Sequence, residues 1–351
     1  MSPALQPHVT PDSFFHTTSP SPPQTPANPP LPPVLVYFIS GNPGLISYYH
    51  PFLTLLSDKL QSLSAKQREP HTFHIHGHSL AGFEVSPQHP QTPEHYHDVE
   101  DQIRFIQTRL DNFVQGTHTT TPTSSKPRVI LMGHSVGTYI AMEVIRRHRE
   151  RSASSSAPID FDIIGGVMLF PTVMDIAKSP SGKHLTNLLY FIPHLALVVS
   201  FLAWILTTLL PEFALRALVK GFMASPPDQA VDTTCAFLKS EKGVRQALHM
   251  AADEMRTISA DKWADDVWGI SSSAEEPLIR MFFYFGRNDH WVAEQTREEI
   301  IEAKGKGEGE GEGKGPKMVV CEDGLPHAFC LRHSDVTASK VAGMVMDIVA
   351  D

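Results

Sequence analysis

The segment from Arg128 to Arg149 constrains the fold more than any other. Arg128–Met132 reads as a strand, Gly133-His134-Ser135-Val136-Gly137 follows at once, and the apolar Tyr139, Ile140, Ala141, Met142 and Val144 open a helix over Thr138–Arg149. A serine in this G-x-S-x-G context sits at a sharp strand-to-helix turn, with glycines on either side to relieve crowding. The turn lifts its hydroxyl above the edge of a sheet. The backbone N–H of Val136 then lies at a helix N-terminus, where a developing oxyanion is stabilised.

The remaining chain supplies the layers such a turn needs. Strands are predicted at Val34–Ile39, Thr72–His76, Ile163–Phe170, Arg280–Phe285 and Lys317–Cys321, and helical patterns at Tyr49–Leu63, Val99–Val114 and Val336–Val349. This alternation predicts an α/β architecture of the α/β-hydrolase fold over residues 34–351, with a mostly parallel central sheet flanked by helices. Hydrophobic residues make up 41% of the 351, enough for one large core. Residues 1–33 are rich in Pro, Ser and Thr and lack a basic-then-apolar leader pattern, so a disordered tail is expected rather than a signal peptide. Loops are expected at Pro87–Pro93 and Gly116–Pro127, and a solvated Gly/Lys/Glu segment at 304–317. The interval 175–274 breaks the strand–helix rhythm and reads as a helical, apolar cap insertion above the C-terminal edge of the sheet, where ligands bind in such folds.

A serine hydroxyl needs a base, and the base needs an orienting acid. On this fold they follow the serine in the order acid, then histidine. Asp289 stands directly after the Arg280–Phe285 strand and is the expected acid, with Arg287, Asn288 and His290 as nearby candidates. His327 lies in the loop between the last strand and the closing helix and is the expected base, with His333 as fallback. The second oxyanion donor is expected from Gly41-Asn42-Pro43-Gly44 after the first strand. The N–H of Asn42 is the choice, because proline has none. Gly77-His78-Ser79-Leu80-Ala81 imitates the elbow, but Ala81 replaces the last glycine and Pro87 prevents a long helix, so Ser79 is expected in a loop at the same sheet edge.

Charge and composition exclude other classes. A net charge of −9 offers no basic face for nucleic acid. Three cysteines in irregular positions form no disulfide framework, and are expected reduced and buried, as in a cytosolic setting. His74, His76 and His78 alternate along a strand but have no partner at a metal-ligand spacing, and His95 and His97 read as loop residues. Neither a metal nor a cofactor is expected.

No formally charged residue occurs from Leu185 to Leu210, and Pro193-His194 interrupts the run. The piece after the break is about 24 Å long as a helix, short against a hydrocarbon core of about 30 Å. A helical hairpin dipping into one leaflet is expected, with Tyr190 and Trp204 as interface anchors. A cap helix buried over an apolar pocket is the alternative. Both imply a lipid-like substrate.

On these residues the chain resembles the lipid droplet-associated hydrolase family. The resemblance is carried by Gly41-Asn42-Pro43-Gly44 with Tyr48 and Tyr49, by Gly133 to Tyr139, by the Asp289 turn and by Pro326-His327-Ala328-Phe329. It implies a carboxylic ester hydrolase linked to lipid storage, acting on lipid esters, with sterol esters as the substrate. It also implies a place on lipid droplets and the cytosolic face of the endoplasmic reticulum, with Leu185–Leu210 as the membrane-association region. A lipid acyltransferase using the same three residues, or a droplet-surface binding protein with little catalysis, are the competing readings.

Overall fold

The computed structural model describes residues 6–18, 31–86, 95–120, 126–154, 159–270, 279–305 and 315–350. The Pro87–Pro93 loop, residues 306–314 of the Gly/Lys/Glu segment and most of the Pro-rich stretch lie outside them.

Eight strands form one sheet in the order β1-β2-β4-β3-β5-β6-β7-β8. They are β1 (His8–Thr10), β2 (Ser13–Thr17), β3 (Val34–Ile39), β4 (Phe73–His78), β5 (Arg128–His134), β6 (Asp162–Leu169), β7 (Arg280–Phe285) and β8 (Lys317–Val320). From β4 to β8 every neighbour runs parallel. All six residues of β3 are buried, as a strand covered on both faces requires. Helices α1 (His50–Ser64), α2 (Val99–Thr120), α3 (Val136–Ala153), α9 (Glu294–Lys304) and α10 (Ser334–Val349) accompany the sheet. Helix α1 buries Phe52, Leu53, Leu56 and Leu60, the stripe its spacing predicts.

Two expectations need correction. Part of the 1–33 tail is structured: β1 and β2 form an antiparallel hairpin, and β2 pairs antiparallel with β4. Phe14 and Phe15 are buried there, and the Asp12 carboxylate accepts from the N–H groups of Val85 and Ser86. The Gly116–Pro127 loop also begins later than expected, since α2 continues to Thr120. Thr117 is buried, and its hydroxyl is bonded to the carbonyls of Phe113 and Val114, which keeps it compatible with the last turns.

Between β6 and β7 lie α4 (Pro180–Phe191), α5 (Leu195–Leu209), α6 (Glu212–Phe222), α7 (Asp228–Lys239) and α8 (Gly243–Thr257). Leu215, Val219, Val231 and Cys235 form a small core of their own within this group. After α8 the chain returns to the body, where Trp263 and Trp268 join the main core. The indole N–H of Trp263 donates to the buried carboxylate of Glu143 at 2.7 Å, and Trp268 stacks on Phe283. Helices α4 and α5 meet at 94° across Pro193 and a left-handed His194. Among the described residues no single helix is long and apolar enough to cross a membrane. Of the α5 side chains only Leu195 and Ala203 are buried, while Phe201, Leu202 and Trp204 are 58–60% exposed.

Candidate active site

Ser135 sits between β5 and α3 with φ 54° and ψ −128°, a conformation that costs a residue bearing a Cβ on the order of 1–3 kcal/mol. Its N–H donates to the carbonyl of Leu169 at 3.0 Å, so the adjoining strand β6 holds the turn. Close packing explains the flanking glycine: a Cβ on Gly137 would stand 2.3 Å from the carbonyl oxygen of Ile39. Gly41 meets the same serine from the opposite loop, where a Cβ would come within 2.9 Å of the Ser135 Cβ.

Asp289 and His327 are brought together from loops after β7 and β8. His327 Nδ1 lies 2.8 Å from Asp289 Oδ2, while Asp289 Oδ1 accepts from the N–H of Trp291 at 2.8 Å. The Asp289 side chain is 1% exposed, whereas Arg287, Asn288 and His290 all face outward. Arg297 of α9 donates to the carbonyls of Gly286 and Arg287 and fixes the turn from beneath. Ser135 and His327 line one cavity. No direct hydrogen bond joins the Ser135 hydroxyl to the imidazole among the described residues; such pairs tighten around substrate. His333 does not line the cavity, and instead its carbonyl starts α10 by accepting from Thr337.

Sequence reasoning missed a chain of bonds beneath the serine. The N–H of Gly41 donates to the Tyr49 hydroxyl at 3.2 Å, and that oxygen lies 2.8 Å from His134 Nδ1. His134 Nε2 lies 2.9 Å from the carbonyl oxygen of His327. A carbonyl only accepts, so Nε2 carries the hydrogen and Nδ1 accepts from Tyr49. Burial holds the His134 pKa well below its ordinary value, so the ring stays neutral in this role. One path of bonds thereby links the Gly41 loop, the elbow and the His327 loop.

Asn42 lies on the cavity wall and Val136 is the first residue of α3. The side-chain amide of Asn42 donates to the carbonyl of Ala247 and to Glu254 Oε1, both at 2.9 Å and both on α8. Burial pushes the Glu254 carboxyl up to about 8. The cavity measures about 430 Å³ and is walled by Ile176, Leu185, Met223, Leu248, Trp291 and Leu331. Its size falls in the range of small-molecule sites, and its lining is mostly apolar.

Ser79, His74, His76, His95 and His97 lie outside the cavity. Ser79 lies at the C-terminal end of β4, fully buried, with its hydroxyl accepting from the N–H of Ile46. His76 stacks on Phe113, His74 lies edge-on to Phe15, and burial lowers both pKa values. His95 and His97 stand just before α2, where His95 pairs with Asp101 at 2.7 Å. Cys235, Cys321 and Cys330 are free and buried.

Comparison with known proteins bears on the fold and the family. Among solved structures, the peroxisomal α/β-hydrolase Lpx1 of Saccharomyces cerevisiae superposes with a TM-score of 0.55 at 12% identity, over 97% of this chain and 90% of that one. Wild-type DBJA gives 0.55 at 13% identity over 98% of both chains. At such identities the likeness is one of fold, and the fold is that of the α/β-hydrolases. Among sequences, the lipid droplet-associated hydrolase of Gallus gallus is 28% identical, covering 92% of this chain and 86% of its own length. The Homo sapiens protein of the same description is 24% identical over 90% and 86%. The model of the lipid-droplet associated hydrolases matches residues 32–330, and the chain belongs to that family.

Proposed function

We propose that this protein is a serine hydrolase of lipid carboxylic esters, with Ser135 as nucleophile, His327 as base and Asp289 as the acid that orients it. The observation that carries the reading is that His327, bonded to the buried Asp289, opens on the same apolar cavity as a strained elbow serine. Asp289 accepts from Nδ1–H and leaves Nε2 of His327 to take the serine proton. Ser135 Oγ attacks the ester carbonyl, and the N–H groups of Asn42 and Val136 receive the oxyanion. His327 then returns the proton to the leaving alcohol, and water releases the acid from the acyl-enzyme.

The substrate arrives from a lipid surface in this reading. Tyr190, Phe191, Phe201, Trp204, Phe213 and Phe222 are exposed on α4, α5 and α6, too large an apolar set for an unassisted aqueous surface. With Leu185–Leu210 docked on a droplet monolayer or on the cytosolic face of the endoplasmic reticulum, Leu185 would join that surface to the cavity it lines. Sterol esters and acylglycerols are the candidate stored lipids.

Labelling with a fluorophosphonate probe tests the chemistry. The wild-type chain is expected to label at Ser135 and to hydrolyse dispersed lipid esters, and Ser135→Ala to do neither. Absence of labelling in the wild type, or equal labelling of the variant, refutes the assignment.

A further inference from the structure

One group in the cavity has no part in the acyl-transfer steps. Glu254 faces the cavity from α8 and is 4% exposed. Its Oε1 accepts from the Asn42 amide at 2.9 Å, and among the described residues no hydrogen bond reaches its Oε2. Leu185, Met223, Leu248 and Ala251 line the same space, and neither lysine nor arginine is among the lining residues. A carboxyl in such a place is costly unless its polar atoms are matched. Burial raises its pKa to about 8, so it carries a proton at neutral pH. With Oε1 engaged as an acceptor, the O–H is on Oε2, a donor without a protein partner. An all-hydrocarbon ligand seated there would leave that donor unmatched, which disfavours it.

We propose that Glu254 is a specificity-determining residue whose Oε2 side meets a second oxygen of the substrate. Esters carrying a hydroxyl or carbonyl besides the scissile group, as acylglycerols do, are then favoured over esters whose alcohol is hydrocarbon throughout, sterol esters included. The inference rests on the serine-esterase reading above and deepens it. Sites built around a buried polar group discriminate strongly, because the wrong ligand strands that group.

The test compares kcat/KM for dispersed monooleoylglycerol and propyl oleate, which share an acyl chain and differ in free hydroxyls. Wild type, Glu254→Gln and Glu254→Met are each assayed, with fluorophosphonate labelling of Ser135 as the independent measure of a formed site. Methyl ricinoleate against methyl oleate shows whether the second oxygen sits on the acyl side instead. Wild type is expected to prefer the hydroxylated member of one pair. Glu254→Met is expected to reduce that preference on the order of tenfold, mainly through KM. Glu254→Gln keeps an acceptor for Asn42 and a donor toward the cavity, and is expected to hold the preference within about threefold. No preference in wild type, an unchanged preference in Glu254→Met, or equal loss in both variants overturns the proposal; the last outcome marks a clamp for Asn42 only. If the wild type neither labels nor hydrolyses any of these esters, the esterase reading itself fails and takes the proposal with it. If it labels and hydrolyses but does not discriminate, the proposal fails alone.

Discussion

At the scale of single residues, the Tyr49 hydroxyl does more than its place in a short 3-10 turn implies. It joins the Gly41 N–H to His134, and His134 in turn holds the backbone of His327. Tyr49→Phe keeps the ring that packs on Phe38 but leaves a buried N–H and a buried imidazole nitrogen unmatched. The expected cost is about 1–3 kcal/mol of stability, read as a lowered denaturant midpoint. Turnover should fall as well, because the loops bearing Asn42 and His327 lose their common tie. An unchanged midpoint together with unchanged kcat would refute the linking role. The candidates Ser135, Asp289 and His327 were legible in the sequence as residues that follow the C-terminal ends of β5, β7 and β8 in a fixed order. The bonds made by Tyr49, His134 and Glu254 were not. Their partners lie 85, 193 and 212 residues away, and no local pattern records a bond over such separations.

At the scale of elements, periodicity located the core strands and helices because burial on one face or both leaves a repeat in the sequence. It failed for β1 and β2, which have 3 and 5 residues and stand beside a proline-rich stretch whose composition masks the Phe14-Phe15 pair. The bend between α4 and α5 was legible from Pro193, but the apolar exposure of α6 was not. Phe213 and Phe222 are 75% and 92% exposed there, on a helix whose other face packs into the insertion's small core. The apolar surface therefore extends past Leu210. Phe201→Glu combined with Trp204→Glu is expected to abolish sedimentation with phosphatidylcholine vesicles or artificial droplets. Both side chains are outside the core, so the thermal midpoint should move by no more than about 1–2 °C. Retained sedimentation of the double variant would remove α5 from the docking surface, and a Phe213→Glu, Phe222→Glu pair then isolates the part played by α6.

At the scale of the whole molecule, the buried titratable groups set opposite limits on stability. Burial lowers the pKa of His76 to about 3 and of His50 to about 4, and holds His134 well below 6.5. The unfolded chain protonates these rings as pH falls through about 6.5, while the folded one resists until far lower. Their stabilising effect is complete above pH 6.5 and is lost on acidification, with a slope approaching about 1.4 kcal/mol per pH unit for each ring. Glu254 acts the other way. Its folded pKa of about 8 exceeds the ordinary 4.5, so the folded state holds a proton that the unfolded state has released. Stability therefore falls as pH rises from about 4.5 to 8 on its account. Below pH 6 several histidines outweigh one glutamate, whereas between 6.5 and 8 the glutamate alone remains among the shifted groups of the described residues. Denaturant midpoints should peak between about pH 6 and 7 and decline on both sides. In Glu254→Gln the decline from pH 6.5 to 8 should disappear while the acid limb persists. An alkaline limb unchanged by that substitution would show that Glu254 is ionised in the folded protein, and its O–H would then be unable to select the second oxygen of a substrate.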